Sequence, residues 1–263
     1  MLSPQELLEV YDAQLRGADA LPGATIEKDG PLVRLLGFAD RGWVLYRDLG
    51  GLDGDDLDAL IASQVAYFAE RGQRFEWKLH GHDQPPDLAD HLLAAGFVPE
   101  DQETIVIAEA SAIAGEPRLP DGVTLREVSE LADFERIAGL EEAVWGEPHD
   151  NMAESLEQEK TADPGALRIV VAEAGDTVVC SAWLRLERGT EFGTFWGGAT
   201  LPEWRGRGIY RATVAYRANI AAEEGCRYLE TDASDDSRPI LERLGFVAVT
   251  TTTPYVWSPP GKS

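Results

Sequence analysis

Histidine and cysteine are scarce, at four and two residues in a chain of 263. No Cys/His set stands at metal-ligand spacing, so no metal is expected. Cys180 and Cys226 make no disulfide framework, which points to a reduced, cytoplasmic setting. No apolar run reaches the roughly 18 residues a membrane span needs. The opening Met-Leu-Ser-Pro-Gln-Glu-Leu-Leu-Glu lacks the basic and long apolar segments of a secretory signal. Basic residues are few: 23 Lys and Arg stand against 47 Asp and Glu, a net charge of -24. That balance argues against nucleic acid and anionic membrane as partners. It either steers cationic substrates or simply keeps the surface soluble, the second being the plainer reading.

What is present is a folded chain, 44% hydrophobic and 27% charged, long enough for one large domain or two ordinary ones. Helical spacing runs over residues 2–16, with Ser3-Pro4 as its start. Short strand-like runs follow at 25–28, 32–38 and 43–48. Leu57, Leu60, Ile61, Gln64, Val65, Phe68 and Ala69 mark an amphipathic helix ending at Arg71-Gly72. A strand is expected at 75–80, a helix at 87–95 and a strand at 104–108. Residues 111–120 are punctuated by Pro and Gly and read as a linker. Beyond them come a strand at 123–128 and helices at about 129–145 and 152–161. Strands at 167–174 and 177–186 flank the turn Ala174-Gly175-Asp176, and a third strand, 192–200, holds Gly197-Gly198. A helix to Glu224, a strand at 227–232, a helix at 239–244 and two extended runs at 246–251 and 254–257 complete the pattern.

The most informative stretch is Pro202-Glu-Trp-Arg-Gly-Arg-Gly-Ile-Tyr-Arg211 and the helix after it. Between Trp204 and Ala222 there is no acid, and Arg205, Arg207, Arg211 and Arg217 make a positive island. A helix N-terminus presents unpaired N–H groups and the positive end of the helix dipole. Glycines let a polyanion approach the backbone, so the stretch reads as a phosphate cradle. Ordinary surface arginines are the alternative. The halves also echo one another: Leu92-Leu-Ala-Ala-Gly-Phe-Val98 parallels Leu241-Glu-Arg-Leu-Gly-Phe-Val247, inside a matching order of elements. Two copies of one fold are expected.

On these residues the C-terminal half resembles the GNAT (Gcn5-related N-acetyltransferase) superfamily. The order is strand, Pro-x-x-Arg-Gly-x-Gly, helix, Gly, strand, then a helix ending in Leu-Gly-Phe. The resemblance covers about 120–257 well, and about 1–110 only in its closing helix-Gly-Phe-strand. It implies an α+β fold of two tandem GNAT-like domains, each a mostly antiparallel mixed sheet flanked by helices. The expected division is a degenerate domain at 1–112, a linker at 113–120 and an acetyltransferase domain at 121–263.

The resemblance further implies acetyl-CoA as acyl donor. Its pyrophosphate would be held by the amides of Gly206, Arg207, Gly208, Tyr210 and Arg211, with Arg205 opening the motif. The strand through Ala199 and Thr200 would pair with pantetheine, and the Gly198 amide would polarise the thioester carbonyl. Tyr210 departs from the family's small residue and narrows the loop mouth. Further along, Ser234 and Ser237 stand at the family's Asn and Ala positions, and Leu241 replaces the Tyr that often protonates the CoA sulfur. The loop before the 57–72 helix, Asp48-Leu-Gly-Gly-Leu-Asp-Gly-Asp-Asp56, has no arginine and four acids, so one cofactor site is expected. Candidates for a base are Glu191, Glu230 and Asp232 near the strands and His149 in the loop between two helices; each also has a bland reading as a solvated side chain. The expected acceptor is an amine of a small molecule or peptide. A non-enzymatic acyl-CoA sensor is the alternative, and the N-terminal half is a scaffold, an acceptor-site wall or a homodimer surface.

Overall fold

A computed structural model describes residues 2–17, 24–37, 41–146 and 151–261. The described chain forms two compact units, and they do not follow chain order. One gathers residues 2–105 with 232–235 and the C-terminal stretch from Ala248; the other holds 106–231 and 236–247.

The first unit begins with α1 (Pro4–Gln14), started by a capping box between Ser3 and Glu6. A meander of β1 (Thr25–Asp29), β2 (Leu32–Leu36) and β3 (Gly42–Tyr46) leads to α2 (Gly54–Glu70). Then come β4 (Phe75–His80), α3 (Leu88–Ala94), the two-residue β5 (Val98–Pro99) and β6 (Glu103–Glu109), which runs across the division into the second unit. Leu57, Ile61, Gln64 and Phe68 recur at helical spacing and are the buried face of α2. Leu57, Ile61 and Phe68 pack on Val44, Phe75 and Trp77 of the sheet, with Phe68 stacked on Phe75 at 4.1 Å, while Gln64 accepts from Arg34 Nε at 2.7 Å.

The second unit continues through α4 (Ala110–Ile113), β7 (Val123–Val128), α5 (Leu131–Trp145) and α6 (Met152–Ala162). Next are β8 (Leu167–Ala174), β9 (Thr177–Leu186), β10 (Phe192–Thr200), a 3₁₀ turn at Pro202–Trp204 and α7 (Ile209–Glu223). The chain closes with β11 (Tyr228–Ala233), α8 (Arg238–Leu244) and β12 (Val247–Trp257). The sheet order here is β11-β10-β9-β8-β7: parallel between β10 and β11, antiparallel elsewhere. β9 is buried along nearly its whole length, as expected of a strand covered on both faces. Phe134, Ile137 and Leu140 of α5 and Leu156 of α6 cover one face. Ile209 of α7 packs with Ala172, Val179 and Cys180.

The α+β reading and the mixed, mostly antiparallel sheets are therefore observed. Two details differ from the sequence reading. Part of the expected linker is helical, as α4. The two C-terminal extended runs are one strand, β12, which pairs antiparallel with β4 in the first unit. Pro254 interrupts neither strand nor register: it lacks an N–H, but its carbonyl accepts from Glu100 N at 2.8 Å.

Candidate active site

β9 and β10 run in register until Gly197↔Ala182; the next pair is Ala199↔Ser181. Gly198 is therefore the extra residue of a β-bulge. Gly197 and Gly198 have φ of +67° and +93°, backbone that side chains rarely adopt. Space also demands glycine. A Cβ at Gly197 would lie 2.5 Å from the Trp183 ring, and one at Gly198 2.9 Å from Tyr210 Cε2. On its other side β10 pairs with β11 only from Phe192↔Tyr228 to Thr194↔Glu230. Past that point Thr231 Oγ1 donates to the Phe195 carbonyl at 3.0 Å, and the bulge lies beyond the paired residues.

After the bulge the chain turns through Pro202–Trp204 into the loop. Arg205 Nε donates to the Thr200 carbonyl at 3.1 Å and ties the loop to β10. Arg207 lies over the Trp204 ring at 4.6 Å. Gly206 is left-handed with open space where a Cβ would stand. Gly208, also left-handed (φ +84°), is the N-cap of α7 and no side chain caps the helix. The first turn contains no acid. Arg205, Arg207 and Arg211 are exposed. A helix start with unpaired N–H groups, glycine on its approach and arginines around it suits a pyrophosphate. By contrast the first turn of α2 carries Asp55 and Asp56.

The inner face of α7 reaches the bulge from the other side. The Tyr210 ring lies against Gly198, and burial raises its phenol's pKa. Arg217 is fully buried; Nη1 donates to the carbonyls of Trp183 and Trp196 at 3.0 and 3.3 Å, and burial pushes its pKa down to about 10. Cys180 neighbours Thr200 Oγ1 at 3.2 Å, and burial pushes its thiol up to about 11.

The α5 and α6 side is also polar and ordered. Ser181 donates to Glu141 at 2.7 Å, and Trp145 Nε1 to the same carboxylate at 2.8 Å. Arg185 makes a buried bidentate pair with Glu159 and stacks on Trp196 at 4.3 Å. Trp196 keeps 45% exposure although its Nε1 is fixed to Thr194.

The structure thus brings Gly198, Ala199, Thr200, Arg205, Gly206, Arg207, Gly208, Tyr210 and Arg211 into one strand–loop–helix segment. Ser237 is the N-cap of α8, while Ser234 belongs with the other compact unit. Glu191 is not brought to the bulge. It precedes the far end of β10, half-exposed, 3.6 Å from Arg227 Nη1. Glu230 is buried on β11, and Asp232 pairs with Lys78 in the first unit. His149 lies outside the described residues. Leu241, where the family often has Tyr, is fully buried. Sequence reading counted Arg217 in the positive island but missed its place beneath the bulge. Its spacing from Tyr210 and Thr213 sets all three on one helix face, which was the available signal.

Residues 131–246 match the model of the Acetyltransferase (GNAT) family. No curated protein matches the sequence. Among solved structures, a GCN5-related N-acetyltransferase from Kribbella flavida superposes with a TM-score of 0.67 at 18% identity, covering 98% of this chain and 95% of that one. One from Sphaerobacter thermophilus gives 0.66 at 15% identity, covering 99% and 87%. A tandem GNAT protein from the clavulanic acid biosynthesis pathway gives 0.62 at 17% identity, covering 93% and 86%. These likenesses speak to the fold. The family match by itself marks residues 131–246 as a GNAT acetyltransferase domain.

Proposed function

We propose that the chain transfers the acetyl group of acetyl-CoA to an amine of a small molecule or peptide, by direct attack in a ternary complex. The observation that carries this reading is the continuous segment from the Gly197-Gly198 bulge into the acid-free N-terminus of α7. Amides of Gly206, Arg207, Gly208, Tyr210 and Arg211 hold the pyrophosphate. Arg207 and Arg211 add charge, while Arg205 Nε is held by the Thr200 carbonyl of β10. The strand edge at Ala199 and Thr200 takes pantetheine. Ser237, at the start of α8, lies on the segment the resemblance assigns to the cofactor; Ser234 shares that assignment.

The chemistry needs few side chains. The amine lone pair attacks the thioester carbon, and the Gly198 N–H stabilises the oxyanion. The C–S bond then breaks, CoA leaves as a thiolate, and the amine's proton passes to solvent or a base. A thioester is already activated, so positioning supplies much of the acceleration.

Calorimetric titration with acetyl-CoA tests the reading. Binding in the micromolar range is expected, and its absence at high micromolar concentration refutes the proposal. The buried Leu241, at the position of the family's acid, favours a second reading, a non-enzymatic acyl-CoA sensor. Release of free CoA thiol across a panel of amines separates the two: release supports transfer, and intact binding without release supports the sensor. A reduced, cytoplasmic setting fits both.

A further inference from the structure

Arg217 stands on α7 with 1% of its surface exposed. Its Nε donates to the Thr213 carbonyl at 3.2 Å, within the helix. Nη1 reaches out of the helix to Trp183 O on β9 and Trp196 O on β10. The guanidinium carbon lies 4.0 Å from the Phe195 ring centroid. Among the described residues no carboxylate pairs with this cation. The titratable groups facing it are Tyr210 on its own helix and Cys180 on β9. Desolvating an unpaired cation is costly, and an apolar chain of similar length would fill the space without that cost. What the guanidinium holds accounts for its presence.

Trp183 and Trp196 face one another in the β9–β10 register, beside the point where it slips. Nη1 therefore stitches the two strands together at the edge of the bulge. The Trp196 carbonyl shares a rigid peptide plane with the Gly197 N–H. Fixing that oxygen fixes the direction in which the chain enters two glycines that have no Cβ to restrict them. The Tyr210 ring then closes on Gly198 from the same helix. One rigid element carries the phosphate cradle at its N-terminus and, on its inner face, two of the contacts that shape the bulge.

We propose that Arg217 is a positioning residue: it holds the Trp196 peptide from beneath and so aims the bulge N–H at the thioester carbonyl. The inference rests on the acetyl-CoA reading above and touches no reacting atom directly.

The test uses the full chain, acetyl-CoA labelled with ¹³C at the carbonyl, and the variants Arg217→Met and Arg217→Lys. The infrared carbonyl stretch of bound acetyl-CoA reports polarisation by the bulge without requiring an acceptor. In the wild type it shifts to lower frequency on binding. In Arg217→Met it returns towards the solution value while the Kd for CoA changes by less than about threefold, because the cradle is intact. With the amine that gives fastest thiol release, kcat falls about 100-fold per CoA-binding site with KM for acetyl-CoA little changed, the loss typical of one displaced oxyanion donor. Lysine keeps the charge, but its nitrogen falls one bond short of Nη1 and it lacks the Nε–H that anchors the side chain on the Thr213 carbonyl, so Arg217→Lys loses most of the shift as well. A merely structural arginine would lower the melting temperature and leave the stretch and kcat per site alone. If Arg217→Met does not fold, Arg217→Lys decides. Either variant, folded and binding CoA, with wild-type stretch and kcat overturns the proposal. A wild type that binds no acetyl-CoA overturns the function reading itself, and this one with it.

Discussion

Substituting Gly198 by Ala separates two terms that the bulge combines. The first is backbone: at φ +93° an L side chain costs about 1–3 kcal/mol. The second is steric. The new Cβ would sit 2.9 Å from Tyr210 Cε2, so the ring must retreat by about 0.5 Å or more to regain ordinary contact. Forcing a methyl into a packed site costs about 1–3 kcal/mol more. The expected destabilisation is therefore about 2–6 kcal/mol. Gly206 is the internal control: its φ is +74° but nothing lies within 4 Å of its Cβ direction. Gly206→Ala should cost about 1–2 kcal/mol, the backbone term alone. Removing the ring isolates the clash, so Gly198→Ala combined with Tyr210→Ala should be less destabilising than the sum of the singles by about 1–3 kcal/mol. Urea unfolding of the four variants and wild type, at constant m-value, measures all of these. Turnover of acetyl-CoA should fall more than stability predicts, because a displacement of about 1 Å at a positioning element costs roughly 100-fold in rate. If Gly198→Ala and Gly206→Ala unfold within about 0.5 kcal/mol of each other, the reasoning that the ring braces the bulge is refuted.

Other outcomes follow from the same geometry. Gly208→Asp sets a carboxylate at the helix cap in a left-handed position, and acetyl-CoA binding by calorimetry should disappear. Glu159→Ala leaves Arg185 buried without its bidentate partner and should lower unfolding stability by about 3–5 kcal/mol, whereas a loss under 1 kcal/mol would contradict a buried pair. Cys180 is buried with its thiol pushed up to about 11, so alkylation of native protein near neutral pH should modify the partly exposed Cys226 and spare Cys180 by mass spectrometry. In the first unit, burial disfavours the Asp83 carboxylate, but His80, Arg16 and Tyr46 outweigh it and hold its pKa well below the usual range. Burial also lowers the His80 pKa, keeping the ring neutral. Both folded pKa values are depressed, so both contributions are present above the unfolded values and are lost as pH falls. The advantage of wild type over Asp83→Asn in urea midpoint should therefore shrink as pH falls below about 4.

The fold was legible where one stretch of chain decides its own conformation. Ser3 and Glu6 cap α1 by themselves. Gly146 and Gly245 end α5 and α8 in left-handed caps. The acid-free run after Trp204 announces a helix N-terminus open to phosphate, and the family match covers that region. The candidate base was less legible. Glu191 lies close in sequence to the glycine pair, but an extended strand rises about 3.3 Å per residue, which carries it to the opposite end of β10.

By itself the sequence determined most element types, the glycine-bearing cradle and its positive charge, because propensity, capping and local charge act through chain neighbours. The tertiary structure decided the rest. Gly197-Gly198 alone does not say where register slips; the Trp183 and Tyr210 rings, from β9 and α7, occupy the space any side chain there would need. Arg217 reads as one more cation of an island until folding buries it between two carbonyls. β12 continues the chain after α8 yet pairs with β4 of the first unit. Each of these depends on which distant residues share a face, and that is set by strand register and burial, which no local stretch of sequence encodes.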